Sequence, residues 1–194
     1  MVLILGAALL LRPGGGDAEG LRPAAGPPLT ERGGLNGTSS VALPPGDPST
    51  VDLSSMSPRE AADRLFNRVM QSVSEGDSVR ARSFVPMAIG AYQRVEELDT
   101  DGHYHLAVLH LVAGDTQAAR AAANAILSRE PQHLFGLFTA AQAERAMGND
   151  SRAEELFGRF LSQYDVEASR DLPEYQHHAR ALPAMRAEAQ RAVE

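Results

Sequence analysis

The sequence contains no cysteine, no tryptophan and no lysine, and aromatic residues make up only 5% of its 194 positions. Without cysteine the chain forms no disulfide, no thiolate zinc site and no cysteine nucleophile. The low aromatic content disfavours a stacking platform for sugars or nucleobases. All 18 basic residues are arginine, and 25 acidic residues bring the formal charge to −7. This acidic balance argues against a nucleic-acid partner, because no basic stripe is available to neutralise phosphates.

Motifs of common enzymes are absent as well. The chain has no Gly-x-Ser-x-Gly elbow, no Walker-type loop and no dinucleotide-binding glycine pattern. Acidic pairs such as Glu154-Glu155 are adjacent in sequence, so on a helix they point in different directions and suit a solvated surface. We therefore expect no enzymatic activity and no cofactor.

Five of the six histidines fall into two groups, His103, His105 and His110 in one predicted helix and His177 and His178 in another. Histidines that chelate a metal from one helix lie three or four residues apart, whereas the spacings here are two, five, seven and one. We therefore expect packing or surface roles for the histidines and no metal site.

Residues 1–11 contain a ten-residue apolar run without a charge, which is shorter than the roughly 20 residues that span a bilayer. No basic stretch precedes the run and no small-x-small cleavage site follows it, so it does not match a signal peptide. We interpret it as the end of a membrane anchor that begins upstream of Met1, on either the periplasmic or the cytoplasmic side. The alternative is an apolar terminus of a cytoplasmic protein.

Residues 12–57 are rich in small and turn-forming residues, since positions 1–57 hold 10 of the 17 glycines and 7 of the 12 prolines. Isolated apolar residues in such a stretch cannot bury enough surface to offset chain entropy. We expect a disordered tether here, followed from residue 58 by a single folded domain of ordinary size.

A repeat follows in residues 100–167. Gly114-Asp115 and Gly148-Asn149 lie 34 residues apart, and each pair separates two stretches with apolar residues spaced three and four apart. Glycine ends a helix in the left-handed conformation, and the Asp or Asn beside it can cap the next helix. Each unit is therefore predicted to be two antiparallel helices joined by a tight turn.

These units resemble the tetratricopeptide repeat family, in which small and aromatic residues recur at set places in a pair of helices. The first unit matches through His103, Leu106, Ala107, His110, Ala119, Ala123, Ile126 and Pro131, and the second through Leu137, Ala140, Ala141, Glu144, Ala153, Phe157 and Phe160. Departures from the family pattern are His103 in place of Trp, His110 and Glu144 in place of Tyr, and Asp165 in place of Pro. The resemblance implies an all-α, right-handed solenoid.

Two flanking units complete the expected solenoid of about three helical hairpins with a C-terminal capping helix. Ser57-Pro58-Arg59-Glu60 is a helix start, and residues 58–99 form an irregular first hairpin in which Pro86 kinks or breaks the second helix. Residues 100–133 and 134–167 are the two repeats. Residues 168–194 are the capping helix, which starts near Asp171 and is kinked or split by Pro183.

The resemblance also implies an inner, concave surface that binds a partner. The residues that it places there are Phe66, Met70, Tyr104, Val108, Phe135, Phe138, Gln142 and Arg145. An apolar groove of this kind suits an extended peptide or a partner helix. The alternative is that these side chains pack between helices or under the capping helix. We therefore expect a non-catalytic interaction or assembly scaffold near a membrane, with a soluble cytoplasmic adaptor as the alternative.

Overall fold

The computed structural model describes residues 56–194, so the predictions for residues 1–11 and for the tether up to residue 55 lie outside it. This part of the chain is all-helical, without a strand. In chain order its helices are α1 (Pro58–Ser74), α2 (Ser78–Tyr92), α3 (Thr100–Ala113), α4 (Thr116–Arg129), α5 (Leu134–Ala146), α6 (Asp150–Ala168), α7 (Pro173–His177) and α8 (Leu182–Ala192). None of these helices is both long and apolar enough to cross a membrane.

Local sequence signals explain where the first helices begin. Ser57 and Glu60 form the predicted capping box, because the Glu60 backbone N–H donates to Ser57 Oγ and the Ser57 N–H donates to Glu60 Oε2. The carboxylates of Asp77 and Asp115 accept the backbone N–H groups of residues 80 and 118 and so cap α2 and α4. Asn149 makes no such bond at the start of α6.

Three glycine turns confirm the predicted backbone conformation. Gly76, Gly114 and Gly148 have φ angles of 76°, 80° and 81°, in the left-handed region that costs other residues about 1–2 kcal/mol. At each turn the N–H of the residue after the glycine donates to a carbonyl five residues back, at 2.9 Å in all three cases. The same helix-ending motif therefore closes α1, α3 and α5.

Consecutive helices pack against one another. The helices of each hairpin are paired as α1 with α2, α3 with α4 and α5 with α6, while α2 also contacts α3 and α4 also contacts α5. Ala119 and Ala153, expected at close approaches, are 0% and 2% exposed. The helix α5 lies at the centre, and its eleven residues from Leu134 to Glu144 are all buried.

The first hairpin differs from the expectation in one respect. Helix α2 runs without interruption through Pro86, which is exposed, so the alternative of a helix break near Val85 is wrong. The turn-to-turn distance from Gly76 to Gly114 exceeds 34 by four residues, which we expected one extra helical turn to absorb. Most of the excess lies instead in the connection 93–99, which has seven residues where the next connection, 130–133, has four.

The C-terminal segment, residues 169–194, forms two helices rather than one. Helix α7 has only five residues and α8 begins at Leu182, so Pro183 occupies the first turn of α8, where a missing N–H is harmless. Asp171 does not cap α7, because its carboxylate accepts a hydrogen bond from the Gln176 side chain and Leu172 is the N-cap residue. The chain is therefore split in the four residues before Pro183.

Candidate functional site

The eight residues assigned to a partner groove lie on α1, α3 and α5, the first helices of the three hairpins. Arg145 is half-buried and the other seven are buried, with Tyr104, Phe135 and Phe138 at 0% exposure. The buried seven are Phe66, Met70, Tyr104, Val108, Phe135, Phe138 and Gln142. The groove is therefore not open in this structure.

Part of this burial comes from α7 and the residue after it. The ring of His178 lies 5.1 Å from Tyr104 and 5.6 Å from Phe135, edge-on in both cases. Tyr175 packs edge-on against Phe135 at 5.2 Å, and its hydroxyl accepts the N–H of Leu134 at 2.8 Å. The C-terminal segment thus covers the beginnings of α3 and α5.

Helix α8 covers the far end of α5. Its Glu188 is buried and accepts hydrogen bonds from Gln142 at 3.3 Å and from Arg145 at 2.5 Å. These two groove candidates are therefore paired within the chain.

The remaining aromatic side chains of the predicted groove belong to the core. Phe138 contacts the rings of Phe157 and Phe160, each at 5.5 Å, across the α5–α6 hairpin. Phe66 stacks on the imidazole of His105 at 3.8 Å. The alternative of packing between helices and beneath the C-terminal segment thus describes the observed placement, and the expectation of a water-filled apolar groove is corrected.

A polar network joins the beginnings of α1 and α3. Arg59 bridges three carboxylates, with nitrogen–oxygen distances of 2.9 Å to Asp63, 2.5 Å to Asp99 and 2.8 Å to Asp101. Asp99 also caps α3 by accepting the N–H of Gly102 at 2.7 Å. The longer connection 93–99 is what brings Asp99 to Arg59.

His105 is held in one tautomer by its neighbours. The Tyr92 hydroxyl lies 2.5 Å from Asp63 Oδ1 and 2.6 Å from His105 Nδ1. Burial alone would raise the pKa of Asp63, but hydrogen bonds from His105, Tyr92 and Arg59 hold that pKa well below its usual value, so the carboxylate only accepts. Tyr92 therefore donates to Asp63, and His105 Nδ1 donates to Tyr92.

The other nitrogen of His105 consequently carries a lone pair. Burial lowers the pKa of His105, which keeps its ring neutral at pH 7. Its Nε2 lies 3.0 Å from His178 Nε2 and 3.7 Å from Asp101 Oδ1, and the last two atoms are 2.9 Å apart. Three atoms that can coordinate a metal thus converge at one point, which we call the Asp-His-His cluster, Asp101, His105 and His178.

A second group of such residues lies nearby on α5 and α7. His133 Nε2 is 3.0 Å from Glu174 Oε1, and Glu130 completes the group. The Glu130 carboxylate is already neutralised by Arg170, which also pairs with Glu167, each at 2.9 Å. Burial lowers the pKa of His133, so a neutral histidine with a carboxylate partner locks α7 to the start of α5.

Both groups run against the expectation that the histidines have only packing or surface roles. The sequence carried one local signal, since Asp101 and His105 are four residues apart and share a face of α3. Spacings between histidines alone could not reveal that pair. His178 lies 73 residues beyond His105 and approaches it only through the fold.

Comparisons with protein-family models, with curated proteins and with solved structures found no match for this chain.

Proposed function

We propose that residues 58–194 form a tetratricopeptide-like interaction module whose inner face, built by α1, α3 and α5, binds a peptide or helix of a protein partner. The proposal is supported by three hairpins that end their first helices with the same bond from the residue after glycine. The 34-residue spacing of the second and third glycines adds to this support.

The observation that carries the proposal is that a peptide already lies on this face. The C-terminal segment covers Tyr104 and Phe135 with His178 and Tyr175. A surface that receives one peptide segment through aromatic contacts and backbone hydrogen bonds has the chemistry to receive another.

The segment has features of an occupant that a partner replaces. Helix α7 has five residues and lacks a side-chain cap, and most of the residues between 169 and 181 are exposed or half-buried. Short elements with few buried residues open more readily than the core of a domain. In this proposal the partner displaces α7 and gains the inner face.

The experiment compares full-length wild-type protein with Tyr175→Ala and with Gln176→Ala as the matched control. Tyr175 is buried against α5, whereas its neighbour Gln176 is exposed. Loosening of the segment is measured first, as faster tryptic cleavage at Arg170 and Arg180, both exposed. Each protein then captures partners from extracts of native cells, and the captured proteins are quantified by mass spectrometry.

We expect Tyr175→Ala, cut faster by trypsin, to enrich a partner several-fold over wild type and over Gln176→Ala. A partner of the outer surface would bind all three proteins equally, and that result would contradict inner-face binding. No partner with any of the three would count against an interaction module altogether.

Membrane attachment through residues 1–11 is a second part of the proposal. It rests on the uncharged apolar run, followed by a glycine- and proline-rich stretch that separates it from the helical domain. Membrane fractionation of native cells that express the full-length chain or a chain without residues 1–57 tests it. Loss of membrane association on deletion is expected, while a soluble full-length protein would favour the cytoplasmic adaptor.

A further inference from the structure

The Asp-His-His cluster has the dimensions of a metal site. A tetrahedral ion with bonds of about 2.0–2.1 Å places its ligand atoms about 3.3 Å apart. The three separations in the cluster are 2.9, 3.0 and 3.7 Å, so they bracket that value. Shifts of a few tenths of an ångström would place all three atoms around one ion.

The protonation state of the cluster suits coordination. The chain from Asp63 through Tyr92 to His105 keeps the hydrogen of His105 on Nδ1 and leaves the Nε2 lone pair aimed into the cluster. Metal-binding histidines typically have this arrangement, in which the second ring nitrogen donates towards a carboxylate. Such an outer chain has no evident use for a histidine that only fills space.

The charge around the cluster also matches a divalent cation. Three carboxylates, Asp63, Asp99 and Asp101, face a single guanidinium, Arg59, which leaves a formal charge of two negative units. Asp101 turns one oxygen to Arg59 and the other to the histidines, so its second oxygen is available for an ion. Burial opposes ionisation of Asp101, but His178, His105 and Arg59 still hold its pKa below the ordinary value.

The cluster is reachable from solvent. The side chains of Asp101 and His178 are 15% and 16% exposed, whereas His105 is 7% exposed. An ion can therefore enter from the side of His178, and water can complete its coordination. The group of Glu130, His133 and Glu174 lacks this opening, since His133 is fully buried, and Arg170 already neutralises Glu130.

We propose that Asp101 Oδ1, His105 Nε2 and His178 Nε2 bind a divalent transition-metal ion, with Zn²⁺ as the ion to test, and that water fills the fourth position. Two imidazoles and one carboxylate form a common ligand set for zinc and for non-haem iron. The ion takes the place of the proton now shared between the two imidazoles. This site goes beyond the interaction function proposed above and does not depend on it.

The test uses full-length protein without a histidine tag, stripped of metal by a chelator and titrated with Zn²⁺ in a calorimeter. The matched pair of variants is His178→Ala and His177→Ala, because His177 is the exposed neighbour outside the cluster. Asp101→Asn removes the charge of a second ligand while keeping its shape. Circular dichroism verifies the helical content of each protein.

We expect wild type and His177→Ala to bind one Zn²⁺ per chain with a Kd of about 1 μM or tighter. His178→Ala and Asp101→Asn should bind at least about 100-fold more weakly, since even an outer-partner change commonly costs 10–100-fold. Equal affinity of His178→Ala and His177→Ala would overturn the proposal, as would the absence of a one-to-one site in wild type.

A second measurement on wild type does not depend on the variants folding. X-ray absorption at the zinc edge of the one-to-one complex should reveal two imidazole ligands and oxygen ligands at about 2.0–2.1 Å. A shell with one imidazole or with oxygen alone would refute the assignment, whatever the behaviour of the variants.

Discussion

Replacing Tyr104 by phenylalanine should stabilise this protein, although the change removes a polar group that could form a hydrogen bond. The Tyr104 side chain is 0% exposed, and its hydroxyl oxygen has no hydrogen-bond partner in the part of the chain that the structure describes. Its ring stacks on Phe135 at 4.3 Å, a contact that phenylalanine preserves. Only the hydroxyl is lost.

The expected gain follows from the cost of burying that hydroxyl. A buried polar group without a partner costs about 1–3 kcal/mol, and removing it returns up to that amount. For a domain of this size the gain corresponds to a rise in melting temperature of roughly 3–10 °C. If Tyr104 instead lay in an open groove, its hydroxyl would be solvated and the change would stay within about 0.5 kcal/mol.

Tyr92→Phe is the matched control of opposite sign. The Tyr92 ring is also 0% exposed, but its hydroxyl binds both Asp63 and His105. Loss of a hydrogen bond to a charged group costs about 1.5–3 kcal/mol. Urea unfolding of wild type and of both variants, followed by circular dichroism, measures the two changes on one scale. Destabilisation by Tyr104→Phe of similar size to that of Tyr92→Phe would refute the reasoning, because it would mean that the Tyr104 hydroxyl is paired.

Three further predictions concern packing and protonation. Ala153→Leu should destabilise by about 1–3 kcal/mol in urea because the site is buried, whereas Ala121→Leu on an exposed face of α4 should change little, and equal effects would contradict the hairpin packing. Gly158→Ala should raise the urea midpoint by about 0.5–1 kcal/mol, since nothing lies within 4 Å of the new Cβ, while at Gly136 a Cβ would lie 2.8 Å from an α4 leucine and should destabilise; the same sign for both would be contrary evidence. Because burial lowers the pKa of His105 below its ordinary 6.5, the unfolded chain takes up the proton first and stability should fall between pH 7.5 and pH 5.5, by up to about 1.4 kcal/mol from this residue; a pH-independent urea midpoint in the presence of a chelator would argue against it.

Local features of this fold were readable from the sequence because their causes are local. The capping box at Ser57 needs residues only three apart, and the left-handed turns need a glycine where a helical pattern stops. Pro86 was harder to interpret, since a helix that loses one hydrogen bond can still continue when its neighbours hold it.

The candidate site was less predictable because it depends on distant parts of the chain. Whether Tyr104 faces water or protein is decided by α7, which begins about 70 residues later. The repeat pattern of one hairpin carries no information about where the C-terminal segment lies. The same holds for His178, whose place beside His105 depends on the length of α6 and on the split before Pro183.

The complete burial of α5 has a consequence for the order in which the molecule opens. Amide hydrogens of a helix enclosed on all sides exchange with deuterium only when the whole domain unfolds, so those of Leu137 and Ala141 should be among the slowest to exchange. The amides of α7 belong to a single helical turn that can detach without disturbing that centre. The fold therefore combines a slow-exchanging central helix with a fast-exchanging cover, and the inner face becomes accessible long before the domain is lost.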